Sequence, residues 1–104
     1  MPAIELREVR EKAGLALQAA EADTGASPVL IAVVREFDAK AAKAVDLGDG
    51  DREWEAVVEV EQAGDSAKAA AEADAGAGEA TTSSILAAHM AICMLKASVA
   101  KTVA

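Results

Sequence analysis

Aromatic side chains are almost missing from this sequence of 104 residues: Trp54 and Phe37 are the whole complement, and there is no tyrosine. A core built on large interlocking rings is therefore excluded. Cysteine is nearly missing too, and the single Cys93 rules out an internal disulfide. Positive charge is scarce: 10 basic residues stand against 18 acidic ones, for a formal net charge of −8. An acidic chain lacks the basic patch that nucleic acid or an anionic membrane surface needs, so neither is expected as a partner. The N-terminus, MPAIELREVREK, is charged from the start and has no signal-peptide pattern. The longest strongly apolar stretch, Ile85 to Leu95, is about half of the ~20 residues a membrane span requires. A cytoplasmic location is the resulting expectation.

What is present is alanine, with valine and leucine behind it, inside a hydrophobic fraction of 53%. Alanine is the strongest helix former because it loses no side-chain entropy. It also buries little area, so alanine-rich helices gain by close approach, and thin cores of this kind are often completed by oligomerisation. The length fits one domain.

Three punctuation points divide the chain into four segments of similar length. Asp23-Thr24-Gly25-Ala26-Ser27-Pro28 combines a helix-ending glycine with a serine cap followed by proline at the first helical position. Asp46-Leu47-Gly48-Asp49-Gly50-Asp51 is a turn by composition. Ala75-Gly76-Ala77-Gly78 precedes a cluster of capping side chains, Thr81 to Ser84. The expected helices cover about 3–22, 28–45, 51–74 and 81–102, and no segment is read as a repeat of another. In the first, Leu6, Val9, Ala13, Leu17 and Ala20 form a stripe at spacings of three and four. In the second, Leu30, Val33, Val34, Phe37, Ala41, Ala44 and Val45 share one face. The third is ambiguous. From Glu53 to Glu61 apolar residues hold every even position and glutamate four of the five odd ones, which is a strand-like alternation. Ala56, Val60, Ala63, Ala67 and Ala70 step instead along a helical seam. One helix interrupted at Gly64 is the preferred reading, with a short strand at 53–61 as the alternative.

The fourth segment is apolar nearly all round, and such a helix must be covered on most sides. His89, Cys93 and Lys96 are embedded in that apolar surface and make the candidate polar site. His89 and Cys93 are four apart, so both can reach one metal. The chain has no second histidine or cysteine to complete a ligand set, and Leu86 stands where a carboxylate-bundle motif needs Glu three residues before the histidine. No metal and no cofactor are therefore expected, and His89 reads as a histidine held by a carboxylate or a carbonyl. Lys96 is expected to pair with Glu59, Glu61 or Glu36 on a facing helix. Cys93 reads as a buried structural thiol. Asp46, Asp49 and Asp51 lack calcium-loop spacing, and the serines have no nucleophile-elbow context.

The fold expected is an all-α four-helix bundle with short antiparallel connections, the alternative being α+β with the strand at 53–61. The function expected is non-catalytic: a small acidic helical protein acting through self-association and binding of a protein partner. Trp54, Ile85, Ile92, Leu95 and Val99 are the expected interface of a homo-oligomer. Two alternatives stand beside it. A signal-less secreted helical protein fits the size, but Trp54 is followed by Glu55-Ala56 and not by the Trp-X-Gly turn of one such group. A phosphotransfer or ligand-binding module would use His89, but its nearest following basic residue, Lys96, is two helical turns away.

Overall fold

The structure, a computed structural model, describes residues 2–47 and 52–103, with side chains over 5–47 and 52–100. The expected turn at 46–51 lies mostly outside these residues. Four helices follow one another: α1 (Pro2–Ala22), α2 (Pro28–Leu47), α3 (Glu53–Ala73) and α4 (Glu79–Val103). Each packs on the next, and α4 closes back onto α1, which makes an up-down-up-down four-helix bundle. No strand occurs among the described residues.

The ambiguous stretch is helical because its true inward set is helical. Ala56, Val57, Val60, Gly64, Ala67 and Ala71 are buried. Val57, the one odd position without glutamate, is fully buried, while Trp54 keeps 37% of its surface exposed. The alternation is a property of the glutamates and not of the core. The expected break at Gly64 does not occur either. Gly64 is a packing notch: a Cβ there would stand 3.2 Å from Phe37 Cζ and 3.3 Å from Ile92 Cγ2. Phe37, the largest fully buried side chain, fills the room that the missing side chain leaves.

No segment repeats another over its length at the sequence level, but the burial pattern of the two hairpins does repeat. Moving 51 residues along the chain aligns the helix starts and buried positions of α1–α2 with those of α3–α4. Leu6, Val9, Ala13, Ala16 and Ala20 correspond to Val57, Val60, Gly64, Ala67 and Ala71, and all ten are buried. Leu30, Val34, Phe37, Ala41 and Ala44 correspond to Thr81, Ile85, Ala88, Ile92 and Leu95, again all buried. The sequence carries the trace at the hairpin corners. Ala19 to Ala26 reads AAEADTGA and Ala70 to Ala77 reads AAEADAGA, identical but for Thr24 against Ala75. Elsewhere the halves share the pattern of small and apolar positions more than the residues themselves.

The two corners meet at one end of the bundle and hold each other. Asp23 Oδ1 accepts from Gly25 N–H at 2.9 Å within its own turn, and Asp23 Oδ2 crosses to accept from Gly78 N–H at 2.7 Å. Asp74 does the same in reverse: Oδ1 accepts from Gly76 N–H at 3.0 Å and Oδ2 from Ser27 N–H at 2.9 Å. Each carboxylate thus satisfies orphan donors at the start of the opposite hairpin's second helix, where the helix dipole also favours negative charge. Ser27 caps α2 as expected, its Oγ accepting from Leu30 N–H at 3.1 Å. At α4 the capping expectation fails. The helix starts at Glu79, with Thr82 N–H bonded to Gly78 O, and Thr81 lies inside it. The buried Thr81 hydroxyl donates to Asp23 Oδ2 at 2.7 Å, so it serves the clasp and not the cap.

Glycine is required at the crossing. A Cβ on Gly25 would overlap the carbonyl oxygen of Gly76, and a Cβ on Gly76 would overlap that of Gly25. Gly14, in mid-helix, has only Asp38 Oδ1 at 3.6 Å near its would-be Cβ. Gly25→Ala is therefore expected to destabilise by about 1–3 kcal/mol, as overpacking does. Gly14→Ala is expected to stabilise by about 0.5–1 kcal/mol through helix propensity and unfolded-state entropy. Urea unfolding of the two variants checks the opposite signs.

The clasp also makes stability depend on acid. Gly78 N–H, then the Thr81 hydroxyl and Gly25 N–H, hold the Asp23 carboxyl below the usual carboxylate range. The Ser27 N–H does the same for Asp74, with the Ser27 hydroxyl and Gly76 N–H adding to it. Because both folded values are depressed, their stabilisation is complete above the unfolded value near ~3.9 and is lost as pH falls through the folded values. The Asp23→Asn/Asp74→Asn double variant should be less stable than wild type at pH 7. Below about pH 4 the difference should shrink; thermal melts at several pH values read this out.

Candidate functional site

Two features of the second hairpin go beyond what the fold needs: a polar seam between α3 and α4, and an apolar row on the outside of α4.

The seam is built from residues three or four apart on two facing helices. On α3, Glu61 and Asp65 lie one turn apart, and on α4 His89, Cys93 and Lys96 follow one another down the same side. His89 Nε2 lies 2.7 Å from Asp65 Oδ1. The histidine side chain is only 18% exposed, the aspartate 57%. Cys93 Sγ is 3.5 Å from His89 Nε2 and 3.9 Å from Nδ1. Lys96 Nζ donates to Glu61 Oε1 at 3.1 Å, in a pair exposed by 33% and 19%. Of the three carboxylates expected to face Lys96, the structure selects Glu61; Glu59 and Glu36 both lie near Lys40 instead. No buried side-chain nitrogen or oxygen among the described residues is left without a partner.

The chemistry of the seam follows from these distances. Burial pushes the Cys93 thiol above its ordinary pKa, and Glu61 and Asp65 add to the rise. The sulfur is therefore a protonated thiol at neutral pH and a poor nucleophile. A nucleophilic relay is not built either. In such a relay the nucleophile and the carboxylate hold different ring nitrogens, whereas Asp65 and Cys93 both approach Nε2 most closely. Asp65 is the member of the cluster that sequence reasoning missed. Its signal was present as one of the acidic positions of the third segment, but nothing in spacing alone sets α3 against α4 in that register.

The row on α4 corrects the expected interface. Ile85, Ile92, Leu95 and Val99 are between 0% and 3% exposed and belong to the chain's own core. They cover the sides of α4 that face α1 and α3. The apolar residues left outside are Leu86, Met90 and Met94, at 37%, 63% and 67% exposure and four apart along one line. Beside Met90 and Met94 runs a groove of about 520 Å³ whose other wall is α1, with Glu5, Glu8 and Lys12. Trp54 is neither the largest burial nor part of this row; it stands at the start of α3.

The apolar length of α4 also exceeds the expectation. From Glu79 to Ala100 it is long and apolar enough, by length and composition, to cross a membrane, with a mean hydropathy of 1.5. The expectation counted only the strongly apolar centre, and the mildly apolar alanines and threonines extend it. Within the bundle the inner sides of this helix are core.

No family model, curated protein or solved structure matches the chain.

Lys96 gives a direct test of how the seam contributes to stability. Lys96→Met leaves Glu61 mostly enclosed and uncompensated, and is expected to cost about 1 kcal/mol, between the values for exposed and buried pairs. Adding Glu61→Leu should recover most of that loss, because two apolar groups replace both charges. Urea midpoints of the single and double variants measure this.

Proposed function

We propose that this protein is a non-catalytic helical module that acts by self-association, with a second copy of the chain seated on the outer face of α4. One observation carries the reading. The internal repeat supplies a comparison for every surface position, and at the outer row the two halves differ in kind. On α2 the row is Arg35, Ala39 and Lys43, all exposed. At the equivalent positions on α4 it is Leu86, Met90 and Met94. The first set is what a solvated helix of this fold carries, and the second is a surface of flexible, apolar side chains suited to a protein contact.

Charge favours a second copy as the occupant. The third helix carries six acidic side chains against the single Lys68. The fourth carries one, Glu79 in its first turn, against Lys96 and Lys101. Two copies apposed through α4 bring together the helices with the fewest carboxylates, which limits like-charge repulsion along the contact. The groove beside Met90 and Met94 offers the partner's side chains room to interdigitate. Binding of other proteins through the same face, and a cytoplasmic location, are part of this proposal.

The test grafts the residues of α2 onto α4. Leu86→Arg/Met94→Lys places at exposed positions the side chains that the first half already carries there. Sedimentation of the wild-type chain at micromolar concentration should give a dimer. The variant should be monomeric with an unchanged far-ultraviolet circular dichroism spectrum. A wild-type chain that stays monomeric at high micromolar concentration refutes the proposal.

A further inference from the structure

We propose that Asp65, His89 and Cys93 form a binding site for a divalent cation of the zinc class, with water as the fourth ligand. The carboxylate oxygen, the imidazole nitrogen and the sulfur lie within 4.8 Å of one another. They supply one oxygen, one nitrogen and one sulfur donor, a set that suits a borderline-soft metal and not calcium or magnesium. The expectation that no metal is bound rested on counting histidines and cysteines; the third donor comes from the facing helix as an aspartate.

The nitrogen–sulfur separation fits the geometry of such an ion. Zn–N and Zn–S bonds of about 2.0 and 2.3 Å at a tetrahedral angle place nitrogen and sulfur roughly 3.5 Å apart. Cys93 Sγ and His89 Nε2 are 3.5 Å apart. The corresponding nitrogen–oxygen separation is about 3.3 Å, against 2.7 Å between His89 Nε2 and Asp65 Oδ1. The aspartate must therefore withdraw by a fraction of an ångström, and its exposed side chain is free to do so. The two donors share Nε2, which is wrong for a proton relay and right for a common ligand point. The local field has the sign a cation needs. Asp65 and Glu61 place negative charge along the seam, and Lys68 and Lys96, the nearby cations, already face Glu72 and Glu61. A bound divalent ion supplies the missing positive charge and releases the thiol proton.

The internal repeat provides the second, independent observation. The positions equivalent to Asp65, His89 and Cys93 in the first hairpin are Gly14, Asp38 and Ala42. That hairpin closes around the same core positions without an imidazole or a thiol. The constellation is therefore an addition to the fold and not a condition of it. It is also separate from the outer row of α4, so its test does not depend on self-association.

The test uses the full chain, freed of metal, with Co²⁺ and Zn²⁺ as the probes. Co²⁺ should give a thiolate-to-cobalt charge-transfer band in the near ultraviolet, and Zn²⁺ should abolish it and slow alkylation of Cys93. Cys93→Ala, which installs the residue found at the equivalent position of the first hairpin, should keep the helical circular dichroism and lose the band. His89→Gln and Asp65→Asn should each weaken Zn²⁺ binding roughly tenfold or more, the range seen when a metal's supporting groups are removed. Cobalt bound without the charge-transfer band would mean scattered carboxylate binding on α3 and would overturn the site. So would Zn²⁺ affinity unchanged by His89→Gln and Asp65→Asn, or no metal uptake below millimolar concentration.

Discussion

The crossing of Gly25 and Gly76 sets the geometry on which the rest of the bundle depends. Two hairpins of alanine-rich helices have little bulky side chain with which to lock their relative position. Close approach has to do that work, and close approach is only as good as its register. At the corner each glycine lies against the other's carbonyl oxygen with no room for a Cβ, and each aspartate holds a backbone N–H of the opposite turn. Four backbone donors that a helix start or a tight turn would leave to water are satisfied by two carboxylates. The register fixed there carries down the helices, so that Phe37 of one hairpin meets the notch at Gly64 of the other.

The clasp is reciprocal because the chain is a repeat, and the repeat explains the otherwise odd distribution of bulk. Position for position, Phe37 is matched by Ala88, Ala41 by Ile92 and Ala44 by Leu95. A symmetric pair of hairpins with large residues at both equivalent sites would overfill the middle of the bundle, and small ones at both would leave a void. Splitting large and small between the halves fills the space once. Thr81 opposite Leu30 follows from the same division: one half spends the site on apolar area, the other on a hydroxyl that anchors Asp23.

The bundle was legible because its signals were local. Helix periodicity, the Ser27-Pro28 cap and the two glycine corners are each contained within a few residues, and they placed the helix limits to within two residues. What the sequence hid was relational. The glutamates at 53, 55, 59 and 61 alternate like a strand although they are spread round a helix, Glu59 facing Lys40 and Glu61 facing Lys96, and only Val57 betrayed the true inner face. The same gap explains the misplaced interface. Ile85, Ile92, Leu95 and Val99 look like a surface in need of a partner chain, yet α1 and α3 are that partner. Asp65 could be assigned to the seam only once α3 and α4 were set in register. The repeated AAEAD-X-GA corner was readable, and it was missed because outside it the halves share a pattern of small and apolar positions more than the residues themselves.

A repeated fold separates what the architecture demands from what one copy has acquired. Positions where the halves agree, in kind if not in residue, are the frame: the inner stripes, the corner aspartates and the crossing glycines. Positions where one half departs without effect on the frame are where selection for something besides folding has room to act. By that criterion Trp54, opposite Ala3, carries no argument, since the side chain of Ala3 is outside the described residues. The outer row of α4 and the Asp65–His89–Cys93 seam do carry one. At both, the first hairpin shows that a cheaper solution folds: charged residues outside, and Gly14, Asp38 and Ala42 at the seam. An exposed methionine row brings liabilities of association and oxidation that the first hairpin avoids. Both lie on or against α4, the helix least loaded with carboxylates, and it is there that the two halves of this chain have diverged from scaffold into surface.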